Sequence, residues 1–239
     1  VAVGRDHIVV AIAVLALAAC SSAGSSDTSA GSGAPTSAAA GAFTLGVELE
    51  PGGYTSQVFE TPVTFTVPAG WKVFEDGPGQ FGLARMSNDG PPLLVLRDID
   101  AAAQCEERAE SGIGRGAEDL TTWLAGHKGL VTTKPEAQTV GGLNGYVIDV
   151  ELDPSWTATC PFSNGVPTVT TVVGSSISSG FLWGVDPVTM DRMWVLDLPS
   201  VANGNIVVVA EVCCGVDQGD QLRADQQVID TFAFDTTGG

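Results

Sequence analysis

Over residues 63–67, Val63, Phe65 and Val67 share one face while Thr64 and Thr66 share the other. This alternation predicts a strand with one buried face that stops at Pro68. Residues 93–99 form a second apolar run, after Pro91 and Pro92. The cleanest alternation lies in 147–153, where Ile148, Val150 and Leu152 oppose Asp149 and Glu151, as in a half-buried strand. Runs at 193–198 and 206–212 flank a connection, 199–205, that contains Asn203 and Gly204. They read as a hairpin with a longer loop. Val207, Val208 and Val209 in succession predict burial on both faces, which places this pair near the middle of a sheet.

Two segments prefer helix. Between Glu118 and Lys128, Leu120, Trp123 and Leu124 fall at i, i+3 and i+4, with acidic residues at the start and Gly129 after the end. Near the C-terminus Leu222, Ile229 and Phe232 form one stripe, and Phe232 and Phe234 then alternate as if entering a last strand. Strands interrupted by two separated helices predict an α+β domain, an antiparallel sheet flanked by about two helices.

The first residues carry a different pattern. Arg5 and His7 precede an unbroken apolar stretch, 8–19, that ends in small residues, the layout of a secretory signal. As a helix this stretch rises only about 18 Å, short of the roughly 30 Å hydrocarbon layer. Its end, Leu17-Ala18-Ala19-Cys20, resembles the lipobox of bacterial lipoproteins. That resemblance implies cleavage before Cys20, a diacylglyceryl group on its sulfur and acylation of the palmitate type. Two acyl chains give stable anchoring where one is marginal. Residues 21–42 hold Ser, Ala, Gly and Thr with one Pro and one Asp and no large apolar side chain. A tether of this kind spans about 25 Å as a random coil. The expected organisation is a signal peptide at 1–19, a lipidated Cys20 with its tether to residue 42, and one globular domain at 43–239. The expected place is the extracytoplasmic face of a cell membrane.

Composition narrows the partners. The chain of 239 residues carries a formal net charge of −18, which argues against an electrostatic footprint for nucleic acid. From Phe43 onward about 195 residues remain, the size of a single domain.

Three segments carry a further resemblance: 63–71 (VTFTVPAGW), 141–146 (GGLNGY) and 228–234 (VIDTFAF). They are similar to segments of uncharacterised actinobacterial lipoproteins and, more distantly, of the PsbP-like fold that includes LpqN-type lipoproteins. The resemblance covers most of 54–234 and implies architecture: a strand into a Pro-x-x-Trp turn, a Gly-rich hairpin and a helix-to-strand ending. It implies an adaptor or accessory subunit rather than a catalyst, and carries over no functional residue.

Beyond Cys20 stand Cys105, Cys160, Cys213 and Cys214, an even number that in an exported chain predicts a disulfide framework with three possible pairings. Neighbouring residues lie about 3.8 Å apart at Cα, below the usual disulfide range, so a Cys213–Cys214 bond is strained. The alternatives require partners to approach two neighbouring residues that face opposite ways. The related lipoproteins carry a pair like Cys105 and Cys160, so the resemblance implies a bond between those two. Cys213 and Cys214 remain either a vicinal bond or two thiols at a strand end.

Candidate chemistry is sparse. His127 is the only histidine after the signal, which excludes multi-histidine metal sites, and no Gly-x-Ser-x-Gly elbow nominates a nucleophile. It reads as a helix-terminus residue. Gly112-Ile113-Gly114-Arg115-Gly116 matches neither phosphate-loop spacing and reads as a lead-in to the first helix. The pairs Asp98/Asp100, Asp149/Glu151 and Asp217/Asp220 form no calcium loop and read as solvated faces and turns. Among the tryptophans, Trp123 and Trp194 read as core, while Trp156 and Trp183 are candidates for exposed contact.

No catalytic residue, metal or cofactor is expected. The leading expectation is a lipid-anchored, non-enzymatic adaptor or accessory subunit that binds an envelope partner protein. The alternative is a carrier or sensor of a small apolar or lipid ligand.

Overall fold

The computed structural model describes residues 41–86, 91–174, 181–213 and 217–237. Cys20, Cys214, the signal segment and all but the last two tether residues lie outside them. Among the described residues the order is β1 (Gly52–Thr55), β2 (Val63–Val67), β3 (Trp71–Asp76), β4 (Gln80–Arg85), β5 (Leu93–Arg97), β6 (Ile99–Ala101) and α1 (Ala117–Gly126). Then come β7 (Leu130–Thr132), β8 (Glu136–Val140), β9 (Leu143–Leu152), β10 (Val169–Gly174), β11 (Phe181–Val185), β12 (Met190–Leu198), β13 (Gly204–Val212), α2 (Gln218–Ile229) and β14 (Ala233–Phe234).

The hairpin of β12 and β13 sits at the centre of an eight-stranded antiparallel sheet of order β3-β4-β5-β13-β12-β9-β7, with β8 also paired to β9. The outer edge of β9 is shared, because β8 pairs along Leu143 to Val147 and β7 along Val150 to Leu152. Every residue of β13 except Glu211 is buried. The run of three valines therefore marks a strand covered on both faces.

Alternation divides the central sheet between two cores. Trp194, Leu196, Ile206 and Val208 face the sheet β1-β2-β14 and α2, together with Phe65, Val228 and Phe232. Met193, Val195, Val207 and Val209 face α1 and the sheet β11-β10-β6, together with Leu120, Leu124, Val172 and Val185. The first helix forms where its apolar stripe places it, whereas α2 ends at Ile229, before Phe232, and buries Gln221, Asp225, Val228 and Ile229. The first begins with Glu118 and Asp119 and closes at His127, whose N–H bonds to Leu124 O.

The α+β, PsbP-like expectation does not hold: the chain is 46% strand and 12% helical, and the described residues form three sheets and two helices. The sheet expected to lie under helices has instead a second and a third sheet on its two faces. The reason lies in strands too short or too irregular for a period to show. β6 has three residues, β7 three and β14 two. β10 is buried at all six positions and so shows no alternation.

The run 93–99 is two strands rather than one. Asp98 between them adopts φ 56°, and the chain leaves the central sheet as β5 and enters the small sheet as β6.

Candidate functional site

The residues that sequence reading singled out are scattered. Cys105 and Cys160 are bonded, with Cα atoms 5.2 Å apart, and the bond ties the loop after β6 to the loop before β10. Cys213 is buried and disulfide-bonded. Cys214 and Cys20 lie outside the described residues.

His127 lies between two indoles, its ring centroid 5.4 Å from that of Trp123 and 5.9 Å from that of Trp156. Its Nδ1 accepts the Gly129 N–H at 3.2 Å. Burial pushes its pKa down against the opposing charge of Glu110, so the neutral ring carries its proton on Nε2.

At the end of the glycine-rich lead-in, 112–116, the chain's own carboxylate takes the first N–H of the helix. Asp197 Oδ1 accepts the Ala117 N–H at 2.8 Å, and a carboxylate there is favoured by the helix dipole. Arg115 makes a bidentate pair with Asp100 at 2.6 and 2.7 Å, a geometry that suits guanidinium and carboxylate.

The carboxylate pairs separate in the same way. Asp98 accepts from Arg97, Asp149 forms a bidentate pair with Arg192, Glu151 is exposed and Asp217 caps α2 by accepting from Asp220 N–H. No group of three metal-ligating side chains occurs among the described residues. Of the tryptophans, Trp194 is buried, with Nε1 donating to Gln138. Trp71 is buried under the Arg85 guanidinium, 5.7 Å from its ring centroid. Trp123, Trp156 and Trp183 are half-buried against the second core.

Trp183 leads to a constellation that the sequence reading missed. Its Nε1 donates to Asp191 Oδ2 at 2.9 Å. Asp191 is 0% exposed, and its other oxygen, Oδ1, is buried with no hydrogen-bond partner among the described residues. In the β12/β13 ladder Asp191 stands directly opposite Glu211, and both point to the face that carries Met193, Val195, Val207 and Val209.

Two carboxyls directly opposite on neighbouring strands repel when both are charged. Burial first, and then the charges of Glu211 and Asp186, push the Asp191 pKa well up, against the Trp183 hydrogen bond. Burial and the charge of Asp186 raise that of Glu211 as well. Asp186 itself closes a turn by accepting the Val188 N–H.

Trp183, Glu211 and Asp186 also line a pocket of about 300 Å³, together with Phe162 and Leu182, whereas Asp191 is not part of its wall. Gly184 belongs to the same wall, and a Cβ there would lie 2.4 Å from Val169 O. The approach of β11 to β10 at the register shift near Thr171 therefore needs a glycine. Phe162 in this wall is 55% exposed, and Val188, in the turn closed by Asp186, is 70% exposed.

One signal in the sequence could have found the acidic pair. The hairpin register that sets Leu198 against Gly204 also sets Asp191 against Glu211. The strand had only to be extended back from Met193 to Met190.

No family model and no curated protein matches the chain. Among solved structures, the chain is similar to a Bacteroides thetaiotaomicron protein at 12% identity and a TM-score of 0.33, over 74% of this chain and 46% of that one. The match spans less than half of that protein and bears on neither fold nor function.

Proposed function

We propose that this chain is a lipid-anchored extracytoplasmic binding module, an adaptor or accessory subunit that holds a partner protein at the membrane through the pocket beside Trp183. Arg5, the apolar stretch 8–19 and the Leu17-Ala18-Ala19-Cys20 junction support export and anchoring on Cys20.

The observation that carries the binding role is the joining of an aromatic and apolar wall to the carboxyls of Asp186 and Glu211 at one open mouth that holds no basic side chain among the described residues. Interfaces use such exposed aromatic and apolar groups as anchors within a polar rim. A pocket of about 300 Å³ with acidic borders suits an inserted side chain better than a lipid acyl chain.

The test is affinity capture of the intact lipoprotein from membranes, with co-purifying proteins and extracted lipids both identified. The paired variant carries Phe162→Asp in the pocket wall and Val188→Asp in the turn closed by Asp186, both at exposed positions. A partner protein recovered with the native chain and lost with the variant supports the reading. Recovery of lipid alone, or of proteins indifferent to the variant, would overturn it.

A further inference from the structure

We infer that the pocket beside Trp183 receives an ammonium or guanidinium group on an aliphatic stem, the side chain of a lysine or arginine presented by the partner. This rests on the binding role proposed above and gives it a chemistry. The chain is acidic throughout, so the presence of carboxyls alone selects nothing. The contrast in how buried carboxyls are compensated does.

Asp100 faces Arg115, Asp149 faces Arg192 and Asp225 faces Arg85. Asp76 accepts the N–H groups of Gln57, Val58 and Phe59, Asp197 that of Ala117 and, in the same way, Asp186 that of Val188. Asp186, Asp191 and Glu211 have no basic side chain in salt-bridge reach among the described residues, and Lys, Arg and His are missing from the pocket wall. Asp191 does not line the pocket but lies behind Trp183, fully buried, with Oδ2 accepting the Trp183 Nε1–H and Oδ1 unpartnered among the described residues. Buried polar groups are almost always satisfied, and a buried carboxyl without a counter-charge is retained at a site more readily than in a plain core.

The remaining walls decide the kind of cation. The pocket has room for one long side chain, and Phe162, Leu182 and the Trp183 ring offer apolar contact for a methylene stem. The indole face adds attraction for a diffuse organic cation. A bare divalent ion needs several converging oxygens at short range, and no group of three metal-ligating side chains occurs among the described residues.

The experiment uses the full chain in detergent micelles, with the Trp183 indole N–H followed by two-dimensional NMR. The probes are n-butylammonium and n-butylguanidinium chloride, with n-butanol and calcium chloride as controls. A saturable shift with either cation, absent with butanol and calcium, is expected. Glu211→Gln and Asp186→Asn, both isosteric changes at half-exposed positions, should each weaken the affinity about tenfold by removing a charged acceptor. No saturable shift, an equal response to butanol or calcium, or an unchanged affinity in both variants overturns the inference.

The same two variants separate this claim from the binding role. If a partner is still captured by both variants and is not released by millimolar butylammonium, the cation inference fails while the adaptor reading stands. If the cations titrate Trp183 but no partner is recovered, the pocket chemistry stands and the adaptor reading fails.

Discussion

Asn205 holds Ile99 by both of its backbone groups, Oδ1 accepting the Ile99 N–H and Nδ2 donating to Ile99 O, each at 2.8 Å. Nδ2 also donates to Arg115 O at 2.8 Å. One fully buried amide thus fixes the point where the chain passes from the central sheet to the small one, and ties the lead-in of α1 to it. Asn205→Leu keeps the volume and leaves two carbonyls and one N–H of the backbone unsatisfied. We expect a loss of about 3 kcal/mol or more, read as a fall in the urea midpoint. A loss below about 1 kcal/mol, the scale of one ordinary hydrogen bond, would show that the corner holds without the clamp.

The Cys105–Cys160 bond spans 55 residues, which corresponds to about 4 kcal/mol in the chain-entropy account of disulfides. Replacing both cysteines by serine should lower unfolding stability by roughly that amount, with the circular dichroism of the folded state unchanged. A double variant as stable as the native chain would contradict this expectation.

Asp225 is 3% exposed, and burial raises its pKa from 3.8 to about 6 against the charge of Arg85. The folded chain therefore holds this proton more tightly than the unfolded chain. The stabilisation from protonation is complete below about pH 4 and is lost as pH rises through about 6, an effect of up to about 3 kcal/mol. Asp225→Asn should flatten this part of the stability profile. The difference between native chain and variant, followed by chemical denaturation from pH 4 to pH 8, isolates it from Asp191 and Glu211. A difference that does not change across that range would contradict the assignment.

If Cys20 carries the anchor, Cys20→Ser should abolish labelling with a radiolabelled fatty acid and release the chain from the membrane fraction. A variant that is still labelled would refute the anchoring proposal.

Much of the fold was legible because the signals are local. The alternation in 63–67 and 147–153 marks β2 and β9, and the apolar spacing around Leu120, Trp123 and Leu124 marks α1. The two-sided burial of Val207 to Val209 placed the hairpin at the sheet centre. The Cys105–Cys160 bond followed from the resemblance.

Little of the candidate site was legible. Trp183 stood out as a residue, but Asp191 lay beyond the reach of the predicted strand and Glu211 read as one more charge in an acidic chain. Strand pairing brings those two together across the hairpin, and a sheet-to-sheet contact brings Trp183 onto them.

What the sequence by itself determined is thus the set of elements whose periods repeat within a few residues. Tertiary structure alone decided that three sheets replace a single helix-covered sheet. It also decided which carboxyls meet an arginine and which are left without one. The physical reason is that a side chain's partner across a sheet or between layers is chosen by register and packing over long separations. Asp191 and Glu211 are neighbours through the ladder, and no spacing along the chain records that one of them is buried without a counter-charge.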